Sequence, residues 1–244
     1  IEKDGLLYSA LLMNLGEAYA RSDDVDAARR VFSEAIAAGK EIENVVPTLV
    51  AMAGLGWLHR NMGDLHRAVK VGKQAIQFGI EKGERKRPVP ATGTVYTLLS
   101  TCHYQWNDLD AATRYLTEGI DLTGQLGQAR ALEGYIYLAH VRQAQGDVNG
   151  AREAIQEARR LAIEFDATEL DDIMVEFHQA QLWITQGNLK AVRRWTEERG
   201  LDSDIDPAQL RQIDAFVQDR IRKYEHLVLA RLLIAQGQPG EALK

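Results

Sequence analysis

A four-residue punctuation recurs six times along the chain, and no other feature restricts the fold as strongly. The copies are Ser22-Asp23-Asp24-Val25, Met62-Gly63-Asp64-Leu65, Trp106-Asn107-Asp108-Leu109, Gln145-Gly146-Asp147-Val148, Gln186-Gly187-Asn188-Leu189 and Gln236-Gly237-Gln238-Pro239. Eight residues before the third member of each copy stands a small residue: Gly16, Gly56, Ser100, Ala139, Ala180 and Ala230. Twelve residues after each of these come Ala28, Ala68, Ala112, Ala151, Val192 and Ala242. Leucine precedes the small residue as Leu15, Leu55, Leu99, Leu138 and Leu229. Two antiparallel helices approach to roughly 8–10 Å only where the facing side chains are small. A small residue on a first helix A, and another on a second helix B, supply that contact across a short turn. Gly or Asn in the turn takes the left-handed conformation that ends helix A, and the Asp or Asn beside it caps helix B.

This register predicts an all-α chain. The A helices run near 6–21, 47–61, 92–106, 130–145, 169–186 and 210–236. The B helices run near 25–40, 65–82, 109–125, 148–165 and 189–199, with a sixth starting at 240. No strand-like alternation with turn signals is present. Each hairpin has an apolar face left over, so the hairpins must stack.

The spacing of twelve between small residues, with Leu before the first, resembles the tetratricopeptide repeat (TPR). Its large helix-A aromatic is partly kept: Tyr19 stands three after Gly16, while the other copies have His59, His103, Arg142, Trp183 and Leu233; its large helix-B residue appears as Phe32 and Leu116. The period departs from the family's usual ~34 residues: the intervals from Asp24 to Gln238 are 40, 44, 39, 41 and 50. The last is stretched by Gly200-Leu201-Asp202-Ser203-Asp204-Ile205-Asp206-Pro207. The resemblance implies a right-handed superhelical solenoid of TPR-like hairpins with a period of about 40 residues. It reads as one repeat domain over 1–244, with five complete hairpins and a truncated sixth.

Composition narrows the function classes. A nucleic-acid-binding domain usually carries a basic face, so a balance of 29 basic against 35 acidic residues, net charge −6, argues against direct DNA contact. The single Cys102 cannot form an internal disulfide, which suits a reducing, cytoplasmic setting. No apolar run reaches the roughly 18–20 residues of a membrane span. The start at Ile1-Glu2-Lys3-Asp4 and the stop at Ala242-Leu243-Lys244 read as those of a fragment of a longer protein.

One stretch is more specific than the repeat. Pro88-Val89-Pro90-Ala91-Thr92-Gly93, then Tyr104-Gln105-Trp106-Asn107-Asp108-Leu109-Asp110-Ala111-Ala112 and Leu116-Thr117-Glu118-Gly119-Ile120, resembles the helical-repeat domain of MalT-like activators. These are large LuxR-type, ATP-dependent transcription regulators. The resemblance implies a parent with a nucleotide-binding module and a helix-turn-helix domain, so that ATP belongs to the parent and no cofactor to this segment. It implies a sensor that receives a small inducer or a protein and passes the signal to the other domains. No phosphate loop of the form Gly-x-x-x-x-Gly-Lys-Ser/Thr occurs in this chain.

Residue clusters that suggest chemistry have simpler readings. Asp202, Asp204 and Asp206 mimic the start of a calcium loop, but Pro207 stands where the sharp turn needs Gly and Ile213 where the bidentate Glu belongs. Cys102-His103 has no second couple at metal spacing, and His103 falls in the packing column. Glu169, Asp171 and Asp172 follow Thr168 at a helix start, where negative charge meets the positive end of the dipole. Lys82, Arg85, Lys86 and Arg87 sit at a helix C-terminus, again matched to the dipole. No Gly-x-Ser-x-Gly or His-Glu-x-x-His is present, so no enzyme is expected.

A TPR-like stack lines its concave face with helix-A residues. Counting from the small positions, and one turn earlier, nominates Trp57, Arg60, Thr97, Thr101, Tyr104, His140, Gln143, Phe177, Gln181 and Arg231. Polar donors interleaved with rings suit a sugar, a small polar metabolite or a peptide. Trp57, Tyr104 and Arg60 lead, because aromatic and Arg anchors dominate binding energy. The alternative is a free-standing TPR scaffold that binds peptide segments. Its chaperone-tail version is missing, because Met13, Glu17, Gly54, Thr94 and Leu98 replace the Lys and Asn of the carboxylate clamp.

Overall fold

The computed structural model describes residues 2–127, 131–199 and 227–238. Within them the secondary structure is helices and turns, without strands. The helices are α1 (Glu2–Arg21), α2 (Val25–Glu41), α3 (Val45–Asn61), α4 (Leu65–Glu81), α5 (Gly93–Gln105), α6 (Leu109–Gly124), α7 (Leu132–Ala144), α8 (Val148–Glu164), α9 (Glu169–Thr185) and α10 (Leu189–Glu198). Short 3₁₀ turns at Glu84–Lys86 and Pro90–Thr92 lead into α5. A further helical stretch occupies 227–235. The expected helix over 210–226, the beginning of a sixth B helix at 240 and the Asp202–Asp206 loop lie outside the described residues.

The punctuation acts as the chemistry of its residues requires. Asp23, Gly63, Asn107, Gly146, Gly187 and Gly237 have φ of 60°, 80°, 60°, 81°, 73° and 78°, the left-handed residue that stops the helix before it. The next side chain caps the helix after it. Asp24, Asp64, Asp108, Asp147 and Asn188 accept from the backbone N–H of Ala27, Arg67, Ala111, Gly150 and Ala191. The helix-B column Ala28, Ala68, Ala112, Ala151 and Val192 is fully buried throughout.

The chain forms two compact units, Ile1–Gly146 and Asp147–Lys244. In the first, each helix packs on the next, and α1 also meets α3, α3 meets α5 and α5 meets α7. No such approach occurs between α2 and α4 or between α4 and α6. Odd-numbered helices that touch while even-numbered ones splay make this unit's stack curved, with α1, α3, α5 and α7 on the inner side.

Small residues set the stacking distances. The Phe32 ring lies between two glycines: a Cβ on Gly16 would stand 2.6 Å from its Cδ1, and one on Gly54 2.5 Å from its Cζ. Where Pro90–Thr92 turns into α5, the backbones of α5 and α6 nearly touch. A Cβ on Gly93 would lie 2.8 Å from the Gly119 carbonyl oxygen. The Pro-Val-Pro lead-in and the later Gly119 of the specific motif thus serve one close crossing. In the second unit, α8, α9 and α10 pack in order, and Ile173, Phe177, Ala180, Val192 and Trp195 form a core with Val228 and Leu232.

Candidate functional site on the inner face of the first unit

Trp57 and Arg60 lie one turn apart near the C-terminal end of α3. The Arg60 guanidinium carbon stands 5.1 Å from the centroid of the Trp57 ring, within cation–π range. Tyr137, on α7, stacks on the other partner of this pair: its ring centroid is 6.1 Å from that of Trp57, with 29° between the planes. α5 intervenes between α3 and α7 in the stack, and it contributes Thr97 and Thr101, small and buried, at 4% and 3% exposure. The two large rings meet although α5 lies between their helices in the stack.

Arg60 is held incompletely. Its Nη1 donates to Asn61 Oδ1 at 3.1 Å, while its Nε is sealed from solvent and finds no acceptor among the described residues. No carboxylate of the described residues lies within ion-pair distance of it. Its charge is felt by the fully buried Cys102 thiol. Burial pushes that thiol up to about 11, and the nearby Arg60 charge pulls weakly the other way. Cys102 is thus a core residue with an inert thiol.

The ten nominated residues separate by position. Trp57, Arg60, His140 and Gln143 are half-buried and Tyr104 is exposed, all in the first unit. Thr97 and Thr101 do not face a groove. They are core positions, and their hydroxyls donate to the carbonyls of Gly93 and Leu98 on their own helix. Phe177 is likewise corrected: it is 5% exposed, inside the second unit's core. Gln181 is half-buried on α9, and Arg231 is exposed on the 227–235 stretch. Tyr137 was not among the nominated residues. It stands two before Ala139, off the counted columns, and only the ring at Trp57 marks it.

His103 does what its packing column implies. Its Nδ1 lies 3.0 Å from Asp108 Oδ2, and its ring packs against Trp106 and Tyr115. Among the described residues no group of three His, Cys, Asp or Glu side chains is placed to hold a metal ion. Nor is any described helix long and apolar enough to cross a membrane.

The acidic start of α9 does more than meet a dipole. Thr168 and Asp171 form a reciprocal capping box. Glu169, Asp172 and Glu176, however, line a cavity of about 440 Å³ together with Arg159 and Arg199. Burial, then the neighbouring Glu176 and Asp171 charges, push the Asp172 carboxyl up. Glu176 is itself paired: its Oε2 accepts from Arg199 Nε at 3.0 Å and from Trp195 Nε1 at 2.9 Å. The Arg199 guanidinium also lies 5.3 Å over the Trp195 ring.

Comparison with known proteins agrees with this architecture. The description of the MalT-like TPR region matches residues 1–244. No curated protein is found as a sequence relative. Among solved structures, the chain is similar to the Rap conjugation gene regulator of the plasmid pLS20, solved in complex with the Phr peptide. The TM-score is 0.64 at 16% identity, over 94% of this chain and 64% of that one. It is also similar to BtubC (BKLC) from P. vanneervenii, with a TM-score of 0.58 at 16% identity, over 92% of this chain and 84% of that one. These likenesses establish a TPR-like fold, and with the match along its whole length the chain belongs to the MalT-like TPR family.

Proposed function

We propose that the chain is the non-catalytic sensor domain of a cytoplasmic transcription regulator, and that a small inducer or a partner protein binds the inner face of its first unit. In this reading 1–244 is a single regulatory repeat domain. The ATP-binding module and the helix-turn-helix belong to the parent protein, and the bound state is passed to them. The carrying observation is the Trp57–Arg60–Tyr137 group, in which α3 and α7 offer two stacked rings and a guanidinium without a carboxylate partner among the described residues. The fold supports the reading too: the similar Rap regulator is a protein solved with a peptide bound.

A thermal-shift screen of metabolites and peptides on this chain tests the proposal. A ligand that binds only the folded chain, at 100 times its dissociation constant, adds about 2.7 kcal/mol of stability. The expected result is a shift that Trp57→Ala abolishes and that Arg30→Ala, on the exposed side of α2, leaves intact. A shift that survives Trp57→Ala and Tyr137→Ala alike would remove the inner face from the reading.

A further inference from the structure

The two units contain the same pair of groups in two states of completion. In the second unit Trp195 and Arg199, one turn apart on α10 and just past its end, hold a carboxylate between them. The indole N–H and the guanidinium of this pair both donate to Glu176. In the first unit Trp57 and Arg60 repeat the pair with the same ring-to-guanidinium separation, 5.1 Å against 5.3 Å. No glutamate or aspartate among the described residues completes it. Among the described residues nothing accepts from Arg60 Nε, the nitrogen that corresponds to the one bonded to Glu176 in the other pair. Nor does anything among them accept from the indole N–H of Trp57.

A buried donor without an acceptor carries the desolvation penalty without the bond, so this arrangement is costly unless an acceptor arrives. The guanidinium fork matches a carboxylate in geometry. The adjoining Trp57–Tyr137 rings offer a flat apolar body a place to stack. We infer that the ligand of the first unit's inner face carries a carboxylate, which Arg60 and Trp57 receive as Arg199 and Trp195 receive Glu176, beside a flat or apolar group that lies on Trp57 and Tyr137. This inference rests on the proposed inner-face site and adds the ligand's chemistry to it. Both a free carboxylic acid and the C-terminus of a peptide carry that group.

Calorimetric titration of the 244-residue chain separates the outcomes. The probes are N-acetylphenylalanine, its amide, a hexapeptide ending in phenylalanine with a free C-terminus, the same hexapeptide amidated, and inorganic phosphate. Charge-assisted hydrogen bonds predict that each acid binds about tenfold to a hundredfold tighter than its amide. Arg60→Gln is expected to erase that preference, and Arg60→Lys to keep part of it, with circular dichroism melts confirming that both variants fold. A hexapeptide acid that binds much tighter than N-acetylphenylalanine assigns the carboxylate to a peptide end, and equal affinities assign it to a free acid. Phosphate competing as well as the acids would overturn the choice of carboxylate. Equal affinity for acids and amides, with Trp57→Ala still abolishing both, would overturn the inference while leaving the inner face as the site. Failure of every acid to bind at millimolar concentration would overturn it as well, and the thermal-shift screen would then judge the inner face separately.

Discussion

At Gly93 a single hydrogen atom in place of a methyl group decides how closely two helices cross. The carbonyl oxygen of Gly119 stands where a Cβ would need 2.8 Å, and Thr123 Cγ2 crowds the same position at 2.6 Å. Backbone cannot swing aside as a side chain can, so Gly93→Ala is expected to cost about 1–3 kcal/mol, the usual penalty of overpacking. Gly124 lies at the end of the same α6 with nothing near its missing Cβ. Gly124→Ala should therefore be neutral or stabilise by up to about 1 kcal/mol, through helix propensity. Urea unfolding of both variants checks the pair, and equal midpoints would contradict the crossing. The residues of this crossing belong to the stretch that carries the family resemblance. Their physical purpose was not legible there, because a contact between positions 26 apart in sequence exists only after both helices are placed. That Trp57 and Arg60 lie side by side was legible, since residues three apart on a helix share a face. Tyr137 was not, because column counting treats each helix alone. Thr97, Thr101 and Phe177 were misread for the same reason: their columns turn inward to the packed core once the neighbouring helices close over them.

Single helices show a second limit on what a repeated pattern tells. The residue before the small position is Leu15 on α1 and Leu99 on α5. In sequence the two are equivalent, yet Leu15 is 43% exposed and Leu99 is fully buried. The difference lies in the preceding helix. Gly72 of α4 approaches Leu99 so closely that a Cβ there would stand 2.7 Å from Leu99 Cδ2, whereas no described helix covers Leu15. α1 carries Leu7, Leu11 and Leu15 exposed along one stripe. In the next hairpins the column of Leu11 is buried, as Ala51 and Val95. Helix type, turn and cap were readable from local chemistry, since each is settled within a few residues. Burial was not, since it belongs to the neighbour. The same substitution in the same column should then give different costs. Leu99→Ala is expected to destabilise by about 2–5 kcal/mol, as buried Leu→Ala changes do, and Leu15→Ala by less than about 1 kcal/mol. Thermal melts of the two variants measure this directly, and matching losses would show that α1 is covered in solution.

Across the first unit, among the described residues, backbones approach only between helices one or two places apart: α1 meets α2 and α3, α3 meets α4 and α5, and α5 meets α6 and α7, with the Trp57–Tyr137 ring contact reaching from α3 to α7. A stack of this kind has stability that is close to a sum of hairpin terms and neighbour terms, without a single shared core. A lesion should therefore weaken its own hairpin and fade along the stack. Phe32 is the sharpest place to test this. Its ring is buried, fills the space left by Gly16 on α1 and Gly54 on α3, and so ties three helices together. Phe32→Ala is expected to cost about 3–5 kcal/mol. Amide hydrogen exchange, which reads local opening free energies, should show protection lost in α1, α2 and α3 and largely retained in α5 and α6. Leu116→Ala, at a fully buried position on α6, should show the reverse order. A uniform loss across all seven helices in either variant would mean that the unit opens as one cooperative block. This distinction bears on the proposed sensor role, under which neighbour-coupled hairpins would tighten locally where a ligand joins α3 to α7. The Trp57–Tyr137 contact spans the α5–α6 hairpin, so ligand binding there should raise exchange protection in α5 beyond what its own contacts give. The same exchange experiment, repeated with a bound acid, reads whether the inner face works as a clasp on the stack.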